Sequence, residues 1–405
     1  MIINSLSLLP NIYFTLPGNI QQYQHMEYLD QLHLTDEIRI LIASIVSFIL
    51  SFYFIPVLVR IAHSRKIYDH PNGRTSHLRP TPRLAGIAIF ISVILTISML
   101  TRIISFPQYQ FAIAGSMIIF FIGIKDDLIG ISFGKKFIAE IAASCVLILF
   151  AGFRFTNLHG YFGVHEIGYI LSFFLTLLII IGITNAFNLL DGVDGLSGSV
   201  ALTAFGTFGI WFYINQEPGY ALICAATIGS LAAFLWFNIW SKKNKIFMGD
   251  TGALFLGFLM SILVIQFNEM NLNASLPWPI IASPVVSFGV LLIPIFDTCR
   301  VMLSRILQGK SPFYPDKSHI HHHLLSIGFS HRQVTGILFL VSIFYAIISF
   351  QLQYLNIYLS TTILVVSALI LTYIPVYFNQ RNKSENLPWT VIKSESQKNQ
   401  DKLSG

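Results

Sequence analysis

The sequence predicts an all-α polytopic membrane protein, and three observations carry that prediction. Of the 405 residues, 54% are hydrophobic and only 11% are charged, with a mean hydropathy of +0.67; soluble domains carry about 25% charged residues. The apolar residues gather into eleven runs, near 39–61, 84–105, 109–124, 137–154, 167–187, 196–215, 219–240, 252–267, 279–298, 334–354 and 357–378. A spanning helix needs roughly 20 such residues. If the chain starts outside, the inward-facing segments hold 22 of the 25 Lys and Arg residues, the asymmetry that orients membrane proteins. The net charge of +6 is therefore an orientation signal and asks for no nucleic-acid partner.

Taken in order, residues 1–38 form an outer N-terminal segment, MIINSLSLLPNIYFTLPG at its start. It lacks the basic stretch of a cleaved signal. The first two runs flank a basic inner loop, RIAHSRKIYDHPNGRTSHLRPTPRLAGI, and the short third run stops at GIKDD. Lys135 and Lys136 open the fourth run, which contains Glu140. The fifth closes on NAFNLLDGVDGL, where the sixth and then the seventh follow. FMGD leads into the eighth, and the ninth ends in IPIFDTCR. A His-rich inner loop, 299–332, precedes the last two runs, and a polar, disordered tail spans 379–405. Residues 39–378 are read as one membrane domain. Cys145 and Cys224 lie inside runs and Cys299 at an inner end, so there is no disulfide framework and no CxxC metal motif.

The acids are distributed unevenly. Asp126, Asp127, Asp191, Asp194, Asp250 and Asp297 all fall at inner helix ends on this topology, and the outer side has nothing comparable. Helix ends tolerate charge, and Asp250 and Asp194 would each serve as an ordinary N-terminal cap. The adjacent pair Asp126–Asp127 does not fit that account, because neighbouring like charges repel; a bound cation explains them better. Oxygen donors of this kind suit Mg²⁺, with Mn²⁺ a substitute, held by one or two carboxylates plus substrate phosphates. Glycines in DGVDGLSG let backbone approach a phosphate or base closely. Glu140, four residues after Lys136, reads as half of an i,i+4 ion pair.

The basic counterpart lies in RVMLSRILQGKSPFYPDKSHIHHHLLSIGFSHRQ. In a helix, three of His319, His321, His322 and His323 would cluster near one face. Imidazoles suit zinc, but they also donate to phosphate and sugar oxygens, and a His-rich loop can simply be solvated. Arg300, Arg305, Lys310 and Lys317 nearby favour anion contact over a metal. Lys135 and Lys136 either snorkel at headgroup level or hold a lipid phosphate. Acids for a divalent ion, cations for phosphates and apolar spans open to lipid together describe phosphoryl-transfer chemistry at a membrane surface.

These motifs, RTSHLRPTPRLAGI, GIKDD, NAFNLLDGVDGL, FNIWSKKNKIFMGDTGALFLGF and FDTCRVMLSRILQGKSPFYPDKSHIHHHLLSIGFS, spread over residues 66–332. The chain resembles the polyprenyl-phosphate N-acetylhexosamine-1-phosphate transferases, and most closely their bacterial undecaprenyl-phosphate GlcNAc-1-phosphate branch. The resemblance implies eleven spans in the bacterial inner membrane, with the active site facing the cytoplasm. It also implies transfer of a sugar 1-phosphate from a UDP-N-acetylhexosamine to undecaprenyl phosphate, releasing UMP and starting an envelope polysaccharide. By position, Asp126, Asp127 and Asp191 match the catalytic acids. Asp250, Asn188 and Asp127 match the Mg²⁺ site, and Asp194 matches the nucleotide contact. His319, His321, His322, His323, Arg300 and Arg305 match the sugar-phosphate loop, and Lys135 or Lys136 the contact to the lipid phosphate. Membrane lipid surrounds such a protein, no nucleic acid is involved, and the resemblance leaves room for a homodimer. Two positions depart from the family pattern: Ala85 stands in PRLAG where a first Gly is usual, and Lys125 precedes the Asp pair.

Three rivals are set against this reading. The phospho-MurNAc-pentapeptide transferase of peptidoglycan synthesis is nearest, but SPFYPDKSHIHHH and the extra span favour the N-acetylhexosamine branch. A cation transporter would place its acids near the midplane, and an intramembrane aspartyl protease would face two acids inside the bilayer. Here the acids sit at one membrane face.

Overall fold

The computed structural model describes residues 34–67, 81–101, 108–312 and 318–384. Most of the outer N-terminal segment, most of the first inner loop, residues 313–317 and the end of the tail lie outside the described residues. The described residues fold into thirteen α-helices in chain order: α1 Asp36–Arg65, α2 Ala85–Leu100, α3 Tyr109–Ile129, α4 Phe133–Cys145, α5 Tyr169–Leu190, α6 Leu196–Ile214, α7 Pro218–Leu235, α8 Gly249–Met270, α9 Ser283–Val290, α10 Leu292–Leu307, α11 Ile320–Ile327, α12 His331–Leu352 and α13 Ile357–Ser384. Local chemistry sets several of these ends. Pro218 begins α7 where its missing N–H costs nothing. Ser330 and Gln333 form a capping box on α12. Gly328, at φ 109°, terminates α11.

All eleven predicted runs are helical over most of their length, and the protein is a multi-pass membrane protein. The count of eleven spans is not confirmed. Among the described residues seven helices are long and apolar enough to cross a membrane, or eight if α9 and α10, bent by 80° at their junction, form one broken span. The shortfall has local causes. α2 has only 16 residues, and the apolar part of α3 stops at Ile124 before Lys125 and the Asp pair. α4 carries Lys135, Lys136 and Glu140 and widens into a π-helical turn at Val146–Phe150.

α8 is the hub of the bundle. Of its apolar window 89% is buried, against 22% for α1 and α13 at the periphery, and α2, α3, α5 and α6 all pack on it. Close approach is bought with glycine, as in helix pairs that associate by backbone packing within lipid. A Cβ on Gly86 of α2 would lie 2.1 Å from the Gly252 backbone nitrogen of α8, and one on Gly123 of α3 would lie 2.5 Å from the Thr251 Cα. Two backbone bonds complete the join, Ala85 N–H to Phe247 O at 3.1 Å and Gly86 N–H to Met248 O at 2.9 Å. Ala85, next to Gly86, is fully buried. These contacts bring the start of α2 and the C-terminal part of α3 onto the first turn of α8. At the opposite end of the bundle, Glu269 accepts from the Thr156 amide and hydroxyl, both at 2.7 Å, and ties the α4–α5 connection to α8.

We predict that Gly86→Ala destabilises the fold by at least about 1–3 kcal/mol, the usual cost of overpacking. Gly206→Ala, inside α6 with nothing within 4 Å of the new methyl, should instead stabilise it by about 0.5–1 kcal/mol. Thermal unfolding of both variants in detergent tests the contrast.

Candidate active site

Four chain segments converge at one end of the bundle: the last turn of α3, the first turn of α4, the end of α5 and the start of α8. The first turn of α8 leaves backbone amides without partners, and inside a membrane protein water cannot serve all of them. Asp127 serves them. Its carboxylate accepts from the Asp250 amide at 2.8 Å, the Thr251 amide at 2.9 Å and the Thr251 hydroxyl at 2.5 Å. Gly249, at φ +73°, allows this; a Cβ there would lie 2.7 Å from an Asp127 oxygen. The sequence argument that the Asp pair gains nothing as a cap is corrected on this point: Asp127 caps a helix 123 residues further along the chain.

Asp126 faces the other way. One oxygen accepts from the Ile131 amide at 2.9 Å and the other from the Lys136 ammonium at 3.2 Å. Lys136 is buried, and its Nζ also lies 2.7 Å from Asp250 Oδ2. With its amide oriented to suit its neighbours, Asn188 accepts from Lys136 at 2.9 Å and donates to Asp250 Oδ1 at 3.1 Å. Asp191, just past α5, accepts from the Ser197 hydroxyl at 2.6 Å; burial pushes its carboxyl up to about 6. Lys135 is exposed, so of the two lysines only Lys136 belongs to this cluster. Asp194 holds a different set of partners, with Lys245 at 2.5 Å and the His331 ring at 3.9 Å. Glu140 is not ion-paired to Lys136 as the i,i+4 spacing suggests; it accepts from the Asn185 amide at 2.5 Å. Lys136 has two acids on other elements within reach and takes those.

The histidine loop rests on Asp297. This buried carboxylate of α10 accepts from Arg300 at 2.7 Å, from His319 Nδ1 at 2.9 Å and from the Ile320 amide at 3.2 Å, so it also caps α11. Arg300 donates onward to Ser318 O and Arg305 to Pro312 O, which fastens both ends of the loop. The His319 and His321 rings lie parallel with centroids 5.7 Å apart, and His321 and His322 lie 4.3 Å apart. Burial, then the neighbouring imidazoles, push His321 down to about 3, so it is neutral near pH 7. His323 turns instead to Asn379 of α13, at 3.3 Å.

These groups meet at a cavity of about 990 Å³. Lys136, Asn188, Asp191, Arg305, His319, His321 and His322 line its polar end, and side chains such as Phe174, Leu178, Val264, Phe288 and Ile295 line the rest. The cavity thus runs from the charged cluster along α5 and α8 to the broken α9–α10. Among the described residues no three His, Cys, Asp or Glu side chains stand ready as a metal cage. The Lys136 ammonium fills the point between Asp126, Asp250 and Asn188, which offers two carboxylates and an amide oxygen. Those three nevertheless supply an all-oxygen set around a position already chosen for a cation, and Mg²⁺ needs only one or two carboxylates beside substrate phosphates. The donor set fits that ion. Sequence reasoning passed over Arg83, whose charge reaches both Asp191 and Asp250. The signal was its place directly before LAG in a quoted motif.

A sequence model of glycosyl transferase family 4 matches residues 109–268, the stretch from α3 to α8. A probable undecaprenyl-phosphate N-acetylglucosaminyl 1-phosphate transferase of Bacillus subtilis (strain 168) is 33% identical over 333 residues, 81% of this chain and 88% of that protein. This chain belongs to that transferase family. The undecaprenyl-phosphate alpha-N-acetylglucosaminyl 1-phosphate transferase of Yersinia pestis is 30% identical over 308 residues, 74% of this chain and 81% of that protein. The corresponding transferase of Escherichia coli (strain K12) is 29% identical over 302 residues, 73% of this chain and 79% of that protein. The family model spans the segments that carry Asp126, Asp127, Lys136, Asn188, Asp191 and Asp250.

The two acids of the pair should separate by stability. Asp127→Asn should cost about 1–2 kcal/mol, the scale of losing a helix cap, whereas Asp126→Asn should be neutral or stabilising because it relieves the crowding of its carboxylate against Asp250. Thermal unfolding of both variants checks this; equal losses would contradict the division of labour.

Proposed function

We propose that this protein transfers N-acetylglucosamine 1-phosphate from UDP-GlcNAc to undecaprenyl phosphate. UMP is released and a lipid-linked diphosphate sugar is formed, the first intermediate of an envelope polysaccharide. The observation that carries the reading is the junction of one buried cation-and-carboxylate cluster with one long apolar cavity, because a polyprenyl phosphate is an anion on an apolar chain. The lipid phosphate oxygen attacks the sugar-bearing phosphorus in line; the bond from that phosphorus to the bridging oxygen breaks, and UMP carries the electron pair away. Such a transfer asks the protein for positioning and charge neutralisation more than for covalent chemistry.

In this reading Asp250, Asn188 and Asp126 hold the divalent ion, Mg²⁺ or Mn²⁺, which when bound neutralises the diphosphate. Asp127 fixes Asp250 through the α8 amides. Lys136 and Arg83 meet phosphate charge, and the imidazoles of the loop donate to phosphate and sugar oxygens. Asp191 takes part in the proton inventory at the lipid phosphate, and Asp194, held by Lys245, bounds the nucleotide side. The Lys and Arg asymmetry supports a cytoplasmic orientation of this end in a bacterial inner membrane.

The test is product identification. Purified protein with undecaprenyl phosphate, Mg²⁺ and UDP-GlcNAc should yield UMP and lipid-diphosphate-GlcNAc by mass, and Asp250→Asn should reduce the rate by at least about a hundredfold, the scale of removing one preorganised electrostatic group. UMP from a peptide-bearing donor alone would reassign the substrate, and no UMP from any donor would overturn the reading. The lipid half has its own probe. Cys299 is exposed on the cavity wall, whereas Cys224 is buried. Undecaprenyl phosphate should slow alkylation of Cys299 by a membrane-permeant maleimide, and unchanged labelling would remove the lipid from this cavity.

A further inference from the structure

Glu140 is the buried acid for which the chemistry above has no use. It lies one helical turn beyond Lys136 on α4 and is 2% exposed. One carboxylate oxygen accepts from Asn185; the other, Oε1, is buried without a hydrogen-bond partner. A carboxylate left half-satisfied in a low-dielectric wall is costly unless another state of the molecule uses it. Side chains four apart on a helix are neighbours, with Cβ atoms about 5–6 Å apart. Yet the Lys136 ammonium turns to Asp250 at 2.7 Å and Asp126 at 3.2 Å, and no ion pair joins it to Glu140. Its charge is nevertheless felt there. One ammonium therefore has two sets of carboxylates within its compass, one filled and one waiting.

We propose that Glu140 is the holding site for Lys136 when a divalent cation occupies Asp250, Asn188 and Asp126. The inference rests on the metal reading given under Proposed function. An ammonium and a divalent ion cannot share the same oxygens, because they would repel at contact distance in a medium that screens poorly. Lys136 is buried, so its displaced charge cannot simply pass into water at the same cost. Glu140 resolves this on the same helix by a change of side-chain rotamer alone. The charges balance only in the metal-bound state. In the first, Lys136 partly offsets Asp126 and Asp250 while Glu140 waits; in the second, the divalent ion offsets the two aspartates and Lys136 offsets Glu140. Glu140 is thus a positioning residue, acting through Lys136. Its bond to Asn185, which the Ile181 carbonyl also fixes at 3.0 Å, keeps the carboxylate from swinging toward the metal itself.

Mn²⁺ binding to the purified full chain, read from the EPR signal of free Mn²⁺, tests the proposal without turnover. Glu140→Gln keeps the volume and the acceptor for Asn185 but removes the charge, and should weaken Mn²⁺ by about tenfold, the scale of one displaced buried charge pair. Lys136→Met should tighten Mn²⁺, and in that background Glu140→Gln should matter by about twofold or less, the non-additivity expected of two residues acting as a unit. A purely structural Glu140 would not be rescued in this way. Equal Mn²⁺ affinity in wild type and Glu140→Gln, or a tenfold loss that persists beside Lys136→Met, overturns the proposal while the metal site stands. Absence of Mn²⁺ binding to wild type, or binding unaffected by Asp250→Asn, removes the metal reading and the proposal with it.

Discussion

The capping of α8 by Asp127 is the interaction on which the site depends. α8 is the most buried helix of the bundle, and its first turn must find acceptors for amides that water cannot reach. A carboxylate from α3 answers that need, and in doing so it locks three helices at one point: α3 supplies the acid, α8 the amides, and α2 the glycine that lets the backbones touch. Asp250, the second residue of α8, is then fixed in place by the same contact that caps its helix. A stability device and a chemical device are thus one object. The adjacent Asp126, one step round the helix, is turned toward Lys136 by that commitment.

Much of this was legible in the sequence, and the remainder was hidden for physical reasons. The apolar runs and the gathering of acids at helix ends follow from composition and spacing. What spacing does not encode is partner choice across the bundle. Nothing local tells Asp126 from Asp127, because the amides that claim Asp127 lie beyond four further α-helices. Lys135 and Lys136 read alike; one residue of helical phase, about 100°, puts one in solvent and the other in the acid cluster. Glu140 looked paired because its neighbour at i−4 is a lysine, and it is not, because that lysine has better partners from α3 and α8. The histidines were legible as a group, but the carboxylate beneath them, Asp297, was counted with the metal acids rather than as the support of the loop. The span count is not confirmed where helices are short or carry charge: α2 is short, and α3 and α4 carry Lys and acidic residues.

The histidine loop illustrates how a polar surface is built beside an apolar cavity. A loop rich in donors would ordinarily wander, and here three side chains fasten it. Asp297 holds His319 and the start of α11, Arg300 holds Ser318, and Arg305 holds Pro312. The imidazoles they present are packed closely enough that protonation of one opposes protonation of the next, and burial adds to this. His321, neutral near pH 7 and stacked beside His319 on this fixed base, is a hydrogen-bonding group whose charge does not change over the physiological range. That property suits recognition of phosphate and sugar oxygens next to a cluster whose own charge must be closely balanced.

Charge balance is the constraint that links the cluster to the cavity. Two phosphate-bearing molecules meeting at the edge of an apolar space bring several negative charges into a region that screens poorly. Carboxylates alone would repel them, and a permanent excess of cations would trap the products. The arrangement found here avoids both, because its acids are partly compensated by a lysine that is buried but not covalently constrained. A buried lysine with a single set of partners would be a structural ion pair. With a second carboxylate unsatisfied one turn away, it becomes a charge that can be moved, and the energy of moving it is kept small by exchanging one buried pair for another. On this argument the unexplained acid of α4 and the unexplained cation of the acid cluster are parts of the same solution.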